Sequence, residues 1–227
     1  MWLDDVIADA HAALLNDAEA EPGRRLLSER GVPQEQWIRE RLGFAHRPVK
    51  ACSREFARWS GSSFSRRLVF PLYSTLGGVI GLQTRPTTEK FYQTYIEPAL
   101  KIHPVLFGLP NALPVIWDTR QVVIVEGVFD QLAMTRHGIA NAVAVMTANV
   151  PVASRVFFSR YTRRVTALLD MDKPGRVGAS RLQQAALREE SYTVVIPTYS
   201  AHDPDDWCKS GRVHEIQHLL QHTHRVV

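Results

Sequence analysis

Three carboxylates follow short apolar segments in the C-terminal half of this 227-residue chain. Glu126 comes directly after VVIV, and Asp170 and Asp172 follow TALL with a single methionine between them. If TALLDMD is extended, Asp170 and Asp172 point to the same side, because side chains alternate along a strand. Neighbouring carboxylates repel one another unless a cation neutralises them. The pattern therefore indicates a site for Mg²⁺, which takes oxygen ligands and is usually held by one or two carboxylates and substrate phosphates.

A further acidic group, HDPDD at residues 202–206, follows the apolar segment TVVIP and could supply additional ligands. Each acidic group also has a purely structural interpretation. A carboxylate after a strand is often a helix cap, and Asp-Pro-Asp-Asp is a common way to begin a helix. The occurrence of all three groups at the ends of predicted strands favours the metal site over three unrelated caps.

The segments around these carboxylates predict an α/β fold. From residue 121, the short apolar segments VVIV, AVAVM, RVTALL and TVVIP alternate with stretches of helical character. This order predicts a mostly parallel sheet flanked by helices, with ligands collecting at the carboxyl ends of the strands. Upstream, RLVFPLY and VIGLQTR, joined by STLGG, predict antiparallel strands, and FYQTYI predicts another. A smaller mixed α+β part thus precedes the α/β domain.

Helix signals and prolines organise the rest of the chain. Apolar residues at helical spacing predict an amphipathic helix over the first fifteen residues. Pro22 and Pro33 are placed to begin two short helices, and Gly31 and Gly43 are placed to end them in left-handed caps. Four prolines interrupt residues 98–116, which we interpret as a connection between the two parts.

Composition narrows the classes of protein. Cys52 and Cys208 are the only cysteines, so neither a disulfide framework nor a four-cysteine zinc ribbon can form within the chain. No apolar stretch is long enough to cross a bilayer and the N-terminus is acidic, so we expect a cytoplasmic location. The net charge is +4, and the excess of arginine falls in residues 39–67, which makes that stretch the candidate for phosphate contact.

These motifs carry a resemblance to a known family. EGVFD at residues 126–130 resembles the E-G-x-x-D motif of TOPRIM domains, and DMDKPG at residues 170–175 is similar to their D-x-D segment. HDPDD resembles the K-D-P-D-E motif of DnaG-type bacterial and phage primases, with His202 in place of the lysine. Upstream, RRLLSERGV, LGFA, RRLVFPLYSTLGGVIGLQTR, KFYQT and LFGL resemble primase core segments in the same order. The resemblance covers roughly residues 22–210.

The resemblance implies two domains, a basic primase-like α+β subdomain at residues 1–118 and a TOPRIM domain with a C-terminal helix at residues 119–227. It implies a site for Mg²⁺ or Mn²⁺ and a separate basic surface for template and nucleotide. The implied catalytic residues, which also hold metal, are Glu126, Asp170 and Asp172. The implied supporting or second-metal ligands are Asp130, Asp203 and Asp205. The implied nucleic-acid and nucleotide contacts are Arg66, Arg67, Arg85 and Lys90.

The implied activity is metal-dependent synthesis of short oligonucleotide primers from nucleoside triphosphates on single-stranded DNA. Two alternatives stay open: a TOPRIM nuclease, and a non-catalytic replication module that binds single-stranded DNA. Primases of this family usually carry a zinc ribbon, which two cysteines cannot form. We therefore expect a minimal core from a phage or other mobile element, with a helicase or other replication protein supplied in trans.

Overall fold

The computed structural model describes residues 2–47, 65–147, 149–189, 192–197 and 203–222. Interpretations of residues 48–64 and of His202 fall outside the described residues. The chain divides into two compact units, Met1–Tyr73 with Gly77–Lys101, and Ser74–Leu76 with Ile102–Val227. Among the described residues, no helix combines the length and apolar character needed to cross a membrane.

The first unit is built on an antiparallel sheet in the order β1-β2-β3-β4. Its strands are β1 (Gly43–Ala45), β2 (Arg67–Tyr73), β3 (Val79–Pro86) and β4 (Gln93–Ile96). The described part of this unit contains the α-helices α1 (Trp2–Asn16), α2 (Glu21–Glu29) and α3 (Gln34–Arg39). The β2–β3 hairpin and the strand after it lie where the sequence predicts them.

Helix α1 packs on this sheet through the apolar stripe that its sequence spacing predicts. Leu3 and Ile7 are buried in one cluster with Val69 of β2 and Leu82 of β3. Their burial removes aliphatic side chains from water on both elements, which contributes roughly 1.5–3 kcal/mol for each fully buried side chain. The first helix therefore belongs to the core of this unit.

Gly43 corrects one prediction. It lies in β1 and does not end helix α3, because Arg41 adopts the left-handed conformation there with φ 51°. A Cβ atom on Gly43 would lie 2.7 Å from the Cβ of Ala10, so glycine allows α1 to approach β1 closely. Gly31 does take the left-handed conformation, with φ 67°.

The second unit contains a parallel sheet in the order β6-β5-β7-β8. Its strands are β5 (Gln121–Val125), β6 (Ala142–Ala144), β7 (Arg164–Leu168) and β8 (Thr193–Val195). Its helices are α4 (Leu109–Thr119), α5 (Val128–Arg136), α6 (Val152–Tyr161), α7 (Lys173–Glu189), α8 (Pro204–Lys209) and α9 (Val213–His222). Helices α4, α6 and α7 share one hydrophobic core with the sheet, and α5 contacts α8. This confirms the predicted α/β class.

Helix α4 lies within the stretch interpreted as a connection. Pro110 occupies its first turn, where no intrahelical N–H bond is lost. Pro114 lies inside the helix, and burial of Leu113 and Ile116 in the core of the second unit offsets the backbone hydrogen bond that proline removes. The first unit ends at Lys101, so α4 lies in the second unit and the division falls earlier than residue 118.

Candidate active site

Glu126 and Asp170 follow neighbouring strands of the parallel sheet. Strands β5 and β7 pair directly, with Val125 opposite Leu168, so the residues that follow them leave the sheet at the same edge. Both carboxylates are partly exposed. The carboxyl edge of a parallel sheet is where ligands bind in open α/β folds.

The segment after β7 brings Asp172 to the beginning of helix α7. Oδ1 of Asp172 accepts a hydrogen bond of 2.8 Å from the backbone N–H of Gly175, which caps the helix. A Cβ atom on Gly175 would overlap the carbonyl oxygen of Asp170. Glycine is therefore required for the first turn of α7 to pack against Asp170. The D-x-D-x-x-G spacing thus has a structural role in addition to its carboxylates.

Asp130 joins two parts of the site. Its Oδ2 accepts from the N–H of Gly127 at 3.1 Å, and its Oδ1 accepts from the N–H of Asp205 at 3.1 Å. The first bond fixes the turn between β5 and α5, and the second fixes the beginning of α8. Asp130 is only 8% exposed. It holds the loop that carries Glu126 in place.

Asp130 is buried and has other carboxylates nearby. Burial, which is the largest cause, and the carboxylates of Asp203, Asp170 and Asp205 together raise the pKa of Asp130 to about 8, against the hydrogen bond from the Asp205 backbone. A cation bound among these carboxylates would favour the ionised form of Asp130. The part of the rise in pKa that comes from Asp203, Asp170 and Asp205 shows that several carboxylates lie close together here, an arrangement that suits a metal ion.

The acidic residues at 203–206 form the beginning of helix α8, which is one of the two interpretations that the sequence allows. Oδ1 of Asp203 accepts from the N–H of Asp206 at 2.7 Å and caps the helix. Asp205 is 3% exposed, and its Oδ2 forms an ion pair of 2.5 Å with Lys209. These contacts, with those of Asp130, favour supporting roles for Asp130 and Asp205 over direct coordination of metal.

Within the described part of the chain, no three His, Cys, Asp or Glu side chains converge as a ready metal-binding group. Mg²⁺ in proteins that transfer phosphate keeps several waters and is held by one or two carboxylates and the substrate phosphates. Glu126 and Asp170 follow adjacent strands, and Asp170 is one of the carboxylates that act on Asp130, so the two residues fit that kind of open site. Asp172 is exposed and lies two residues after Asp170, so it could add a ligand.

The four basic residues predicted to contact nucleic acid all lie in the first unit, and they differ in exposure. Arg66 and Lys90 are exposed. Arg67 is partly buried, with its guanidinium carbon 5.9 Å from the ring centre of Phe91, which is 50% exposed. An arginine stacked on an exposed aromatic ring combines a phosphate contact with a surface on which bases stack.

Arg85 is the least accessible of the four. It is 6% exposed, and its guanidinium carbon lies 5.7 Å from the ring centre of Tyr92. Burial lowers the pKa of Arg85 from its ordinary value, an effect opposed by Tyr92 and increased by Arg30. These contacts indicate that the main role of Arg85 is to hold the segment after β3 in place.

Met146 is a site residue that the sequence did not reveal. It lies just after β6, and its N–H donates to the carbonyl of Glu126 at 3.0 Å. Its φ of 65° is in the left-handed region, which is uncommon for a residue with a side chain. Such strain is often found next to functional groups. A methionine gives no sequence signal of a left-handed backbone, so only the structure identifies it.

The chain is similar in sequence to known proteins. Residues 120–196 match the Toprim domain family. The chain is 31% identical to a DNA primase of Aquifex aeolicus over 163 residues, covering 69% of this chain and 32% of that protein. It is 23% identical to a DNA primase of Staphylococcus epidermidis over 224 residues, covering 88% and 37% respectively. The chain thus spans about a third of the length of the relatives it matches.

Solved structures share the fold across almost the whole chain. The structure of the DnaG catalytic core superposes with a TM-score of 0.78 at 21% identity, covering 96% of this chain and 77% of that one. The zinc-binding and RNA polymerase domains of the Aquifex aeolicus primase give 0.76 at 25% identity, covering 96% and 59%. A DnaG primase catalytic domain bound to single-stranded DNA gives 0.78 at 22% identity, covering 96% and 76%. By sequence and by fold, the chain is therefore a member of the DnaG-type primase family and contains its Toprim domain.

Proposed function

We propose that this chain is a metal-dependent DNA primase, which synthesises short oligonucleotides from nucleoside triphosphates on single-stranded DNA. The observation that carries the proposal is the placement of Glu126 and Asp170 on adjacent parallel strand ends, within the Toprim domain of a primase-like chain. Similarity to primases extends upstream into the first unit, where the basic residues lie.

Glu126, Asp170 and Asp172 would hold a divalent metal, Mg²⁺ or Mn²⁺. When bound, the metal would lower the pKa of the attacking 3′-hydroxyl and neutralise charge on the α-phosphate and on the leaving pyrophosphate. Asp172 also caps helix α7, so it fixes the segment that carries Asp170. Binding of metal would relieve the repulsion among these carboxylates.

The supporting residues keep the carboxylates in position. Asp130 fixes the turn after Glu126 and the start of α8 through two backbone hydrogen bonds. Gly175 allows α7 to begin directly against Asp170. Positioning of this kind matters because a displacement of about 1 Å can reduce an enzymatic rate roughly a hundredfold.

In the proposal, the first unit handles the phosphates of template and nucleotide. Arg66 and Lys90 are exposed for that purpose, and Arg67 adds a guanidinium stacked on Phe91. Arginine binds phosphate through charge-assisted and often bidentate hydrogen bonds. The neighbouring structure of a DnaG catalytic domain with single-stranded DNA supports the assignment of that template. A helicase or other replication protein is the partner we expect in trans.

Two other functions are outcomes of the same test. A Toprim nuclease would direct water at a phosphodiester with the same carboxylates, and a binding module would hold single-stranded DNA without turnover. The resemblance of the first unit to primases favours synthesis over cleavage. The presence of Glu126, Asp170 and Asp172 favours an enzyme over a binding module.

The test is incubation with single-stranded DNA, labelled nucleoside triphosphates and Mg²⁺ or Mn²⁺, for the wild type and Asp170→Ala. New labelled oligonucleotides from the wild type alone would support the proposal. Shortened template that depends on Asp170 would support the nuclease. Binding of DNA with neither product would leave a binding module.

A further inference from the structure

A pocket lies in the Toprim domain, away from the three principal carboxylates. It has a volume of ≈ 320 Å³ and lies between the beginning of α6 and the middle of α7. Its polar lining comes from Asn149, Arg155 and Arg181. Val150 and Leu182, both members of the hydrophobic core, form its apolar part.

A separate cavity of ≈ 340 Å³ lies in the first unit, and the charges of its lining are already balanced. Arg25 in its lining forms an ion pair of 3.2 Å with Glu29, and Glu21 also lines it. We call the ≈ 320 Å³ pocket the α6–α7 pocket. The described residues of its lining include two arginines and no carboxylate. The two cavities therefore differ in the ligands that they suit, and only the α6–α7 pocket favours an anion.

Both arginines of the α6–α7 pocket are available to a ligand. Among the described residues, neither Arg155 nor Arg181 forms an ion pair, and Nε of Arg155 is buried without a hydrogen-bond partner. A buried guanidinium nitrogen that lacks an acceptor costs free energy, which an anion in the pocket would recover. Two guanidinium groups around one cavity match the oxygen atoms of a phosphate group.

The backbone adds to this preference. Helix α6 begins after Pro151, whose side chain cannot cap it, so no side chain at the N-cap accepts from the first N–H groups of the helix. Pro151 and Val152 both line the pocket, and Val152 is 64% exposed. The positive end of the helix dipole therefore acts on the same volume as the two arginines.

The α6–α7 pocket is connected to the carboxylate edge by short segments of chain. Met146, whose N–H donates to the carbonyl of Glu126, is followed five residues later by Pro151 at the pocket. Helix α7 begins directly after Asp172, and Gly178 in the lining is five residues beyond its first residue. At 1.5 Å per residue, this places Gly178 about 7.5 Å along the helix axis. A distance on the order of 10 Å corresponds to about three nucleotides of a duplex strand at 3.4 Å each.

We propose that the α6–α7 pocket binds a backbone phosphate of the nucleic-acid strand that lies at the carboxylate edge, a few nucleotides from the reacting phosphate. That a nucleic-acid strand occupies this edge rests on the proposed function, whereas the preference for phosphate rests on the pocket itself. The pocket would hold the strand in register while nucleotides are added.

The test compares two double variants with the same loss of charge on the same two helices. Arg155→Gln with Arg181→Gln removes both pocket arginines. Arg160→Gln with Arg188→Gln removes two exposed arginines of α6 and α7 that do not line the pocket. The affinity of each protein for a fluorescent single-stranded 12-mer is measured by anisotropy in EDTA, over a range of NaCl concentrations.

The pocket variant should bind the 12-mer about tenfold more weakly than the control variant, because hydrogen bonds to a charged phosphate are lost. The slope of log affinity against log salt concentration should be shallower for the pocket variant than for the control variant by about 0.7, the value for one phosphate of a single strand. Equal affinities and equal salt slopes for the two variants would overturn the proposal.

A second measurement separates the two sources of phosphate. Inorganic phosphate and a nucleoside triphosphate are added to each protein, and Tm is followed in EDTA. If both ligands raise Tm of the wild type and not of the pocket variant, while affinity for the 12-mer is unchanged, the ligand is free phosphate or nucleotide and the strand assignment is wrong. Because no catalysis is measured, weaker DNA binding by the pocket variant would support the pocket even if the wild type made no primers.

Discussion

Replacing Asp130 with asparagine should change how the stability of the Toprim domain depends on pH. The pKa of Asp130 is about 8 in the folded chain, against an ordinary value of 3.8. Between these values the folded state binds one more proton than the unfolded state, so the free energy of unfolding falls as the pH rises. The stabilisation is complete below the ordinary value and is lost as the pH passes through about 8. The expected slope is about 1.4 kcal/mol per pH unit.

Asparagine does not bind this proton, so its contribution to the free energy of unfolding does not change with pH. The loss of one hydrogen-bond acceptor instead lowers the free energy of unfolding by the same amount at every pH. Its amide oxygen can accept from one of the two N–H groups that Asp130 binds, but its amide nitrogen cannot accept from the other. A buried donor left without an acceptor costs about 1–3 kcal/mol at every pH. At pH 5 the free energy of unfolding of Asp130→Asn should therefore lie below that of wild type. Between pH 5 and pH 8 the difference should change by about 4 kcal/mol in favour of the variant, because only wild type loses stability with rising pH.

The assay is urea denaturation followed by circular dichroism, from pH 5 to pH 8.5 in EDTA at constant ionic strength. Asp206→Asn is the matched control, because Asp206 is an exposed carboxylate in the first turn of α8. The control should run parallel to wild type. Parallel profiles for Asp130→Asn and wild type would refute the argument that burial and neighbouring carboxylates hold a proton on Asp130. Addition of Mg²⁺ should flatten the wild-type profile, because a cation near Asp170 favours the ionised form of Asp130.

Three further predictions concern single residues. Met146→Gly should raise the free energy of unfolding by about 0.5–1 kcal/mol in urea denaturation, because glycine adopts the left-handed backbone of φ 65° without strain, and no gain would contradict this. Gly175→Ala should lower the free energy of unfolding by about 2 kcal/mol or more and reduce primer synthesis, because the added methyl group would meet the carbonyl of Asp170. Unchanged stability and synthesis would argue against that contact. Arg66→Ala and Arg67→Ala should each weaken binding of single-stranded DNA in anisotropy titrations and flatten its salt dependence, and unchanged affinity and slope would refute the assignment of the basic surface.

The positions of Glu126 and Asp170 at one edge of the sheet can be predicted from the sequence because they depend on local patterns. Glu126 and Asp170 each follow a short apolar segment, and the alternation of strands and helices implies that parallel strands end at one edge. The pairing of β5 with β7 then brings the two residues to neighbouring positions. The resemblance to primases, which the comparisons confirm, came from motifs in the same order along the chain.

The roles that the sequence did not reveal depend on contacts between distant residues. Asp130 accepts from Asp205, which is 75 residues away, so its role in holding α8 needs the folded chain. The sequence favours a helix cap at Gly43 because glycine is common in caps, but packing against Ala10 determines its place. Helix α4 was missed because prolines usually interrupt helices, and its apolar stripe outweighs the one proline inside it.

Primer synthesis by wild type, Asp170→Asn and Asp206→Asn tests the central claim most directly. Each protein is first shown to be folded by circular dichroism, and is then given single-stranded DNA, labelled nucleoside triphosphates and Mn²⁺. Wild type and Asp206→Asn should make labelled oligonucleotides complementary to the template, and Asp170→Asn should make at least about a hundredfold less, as expected when a metal-holding group is lost. Equal synthesis by Asp170→Asn and wild type, or no template-dependent product from folded wild type, would contradict the account.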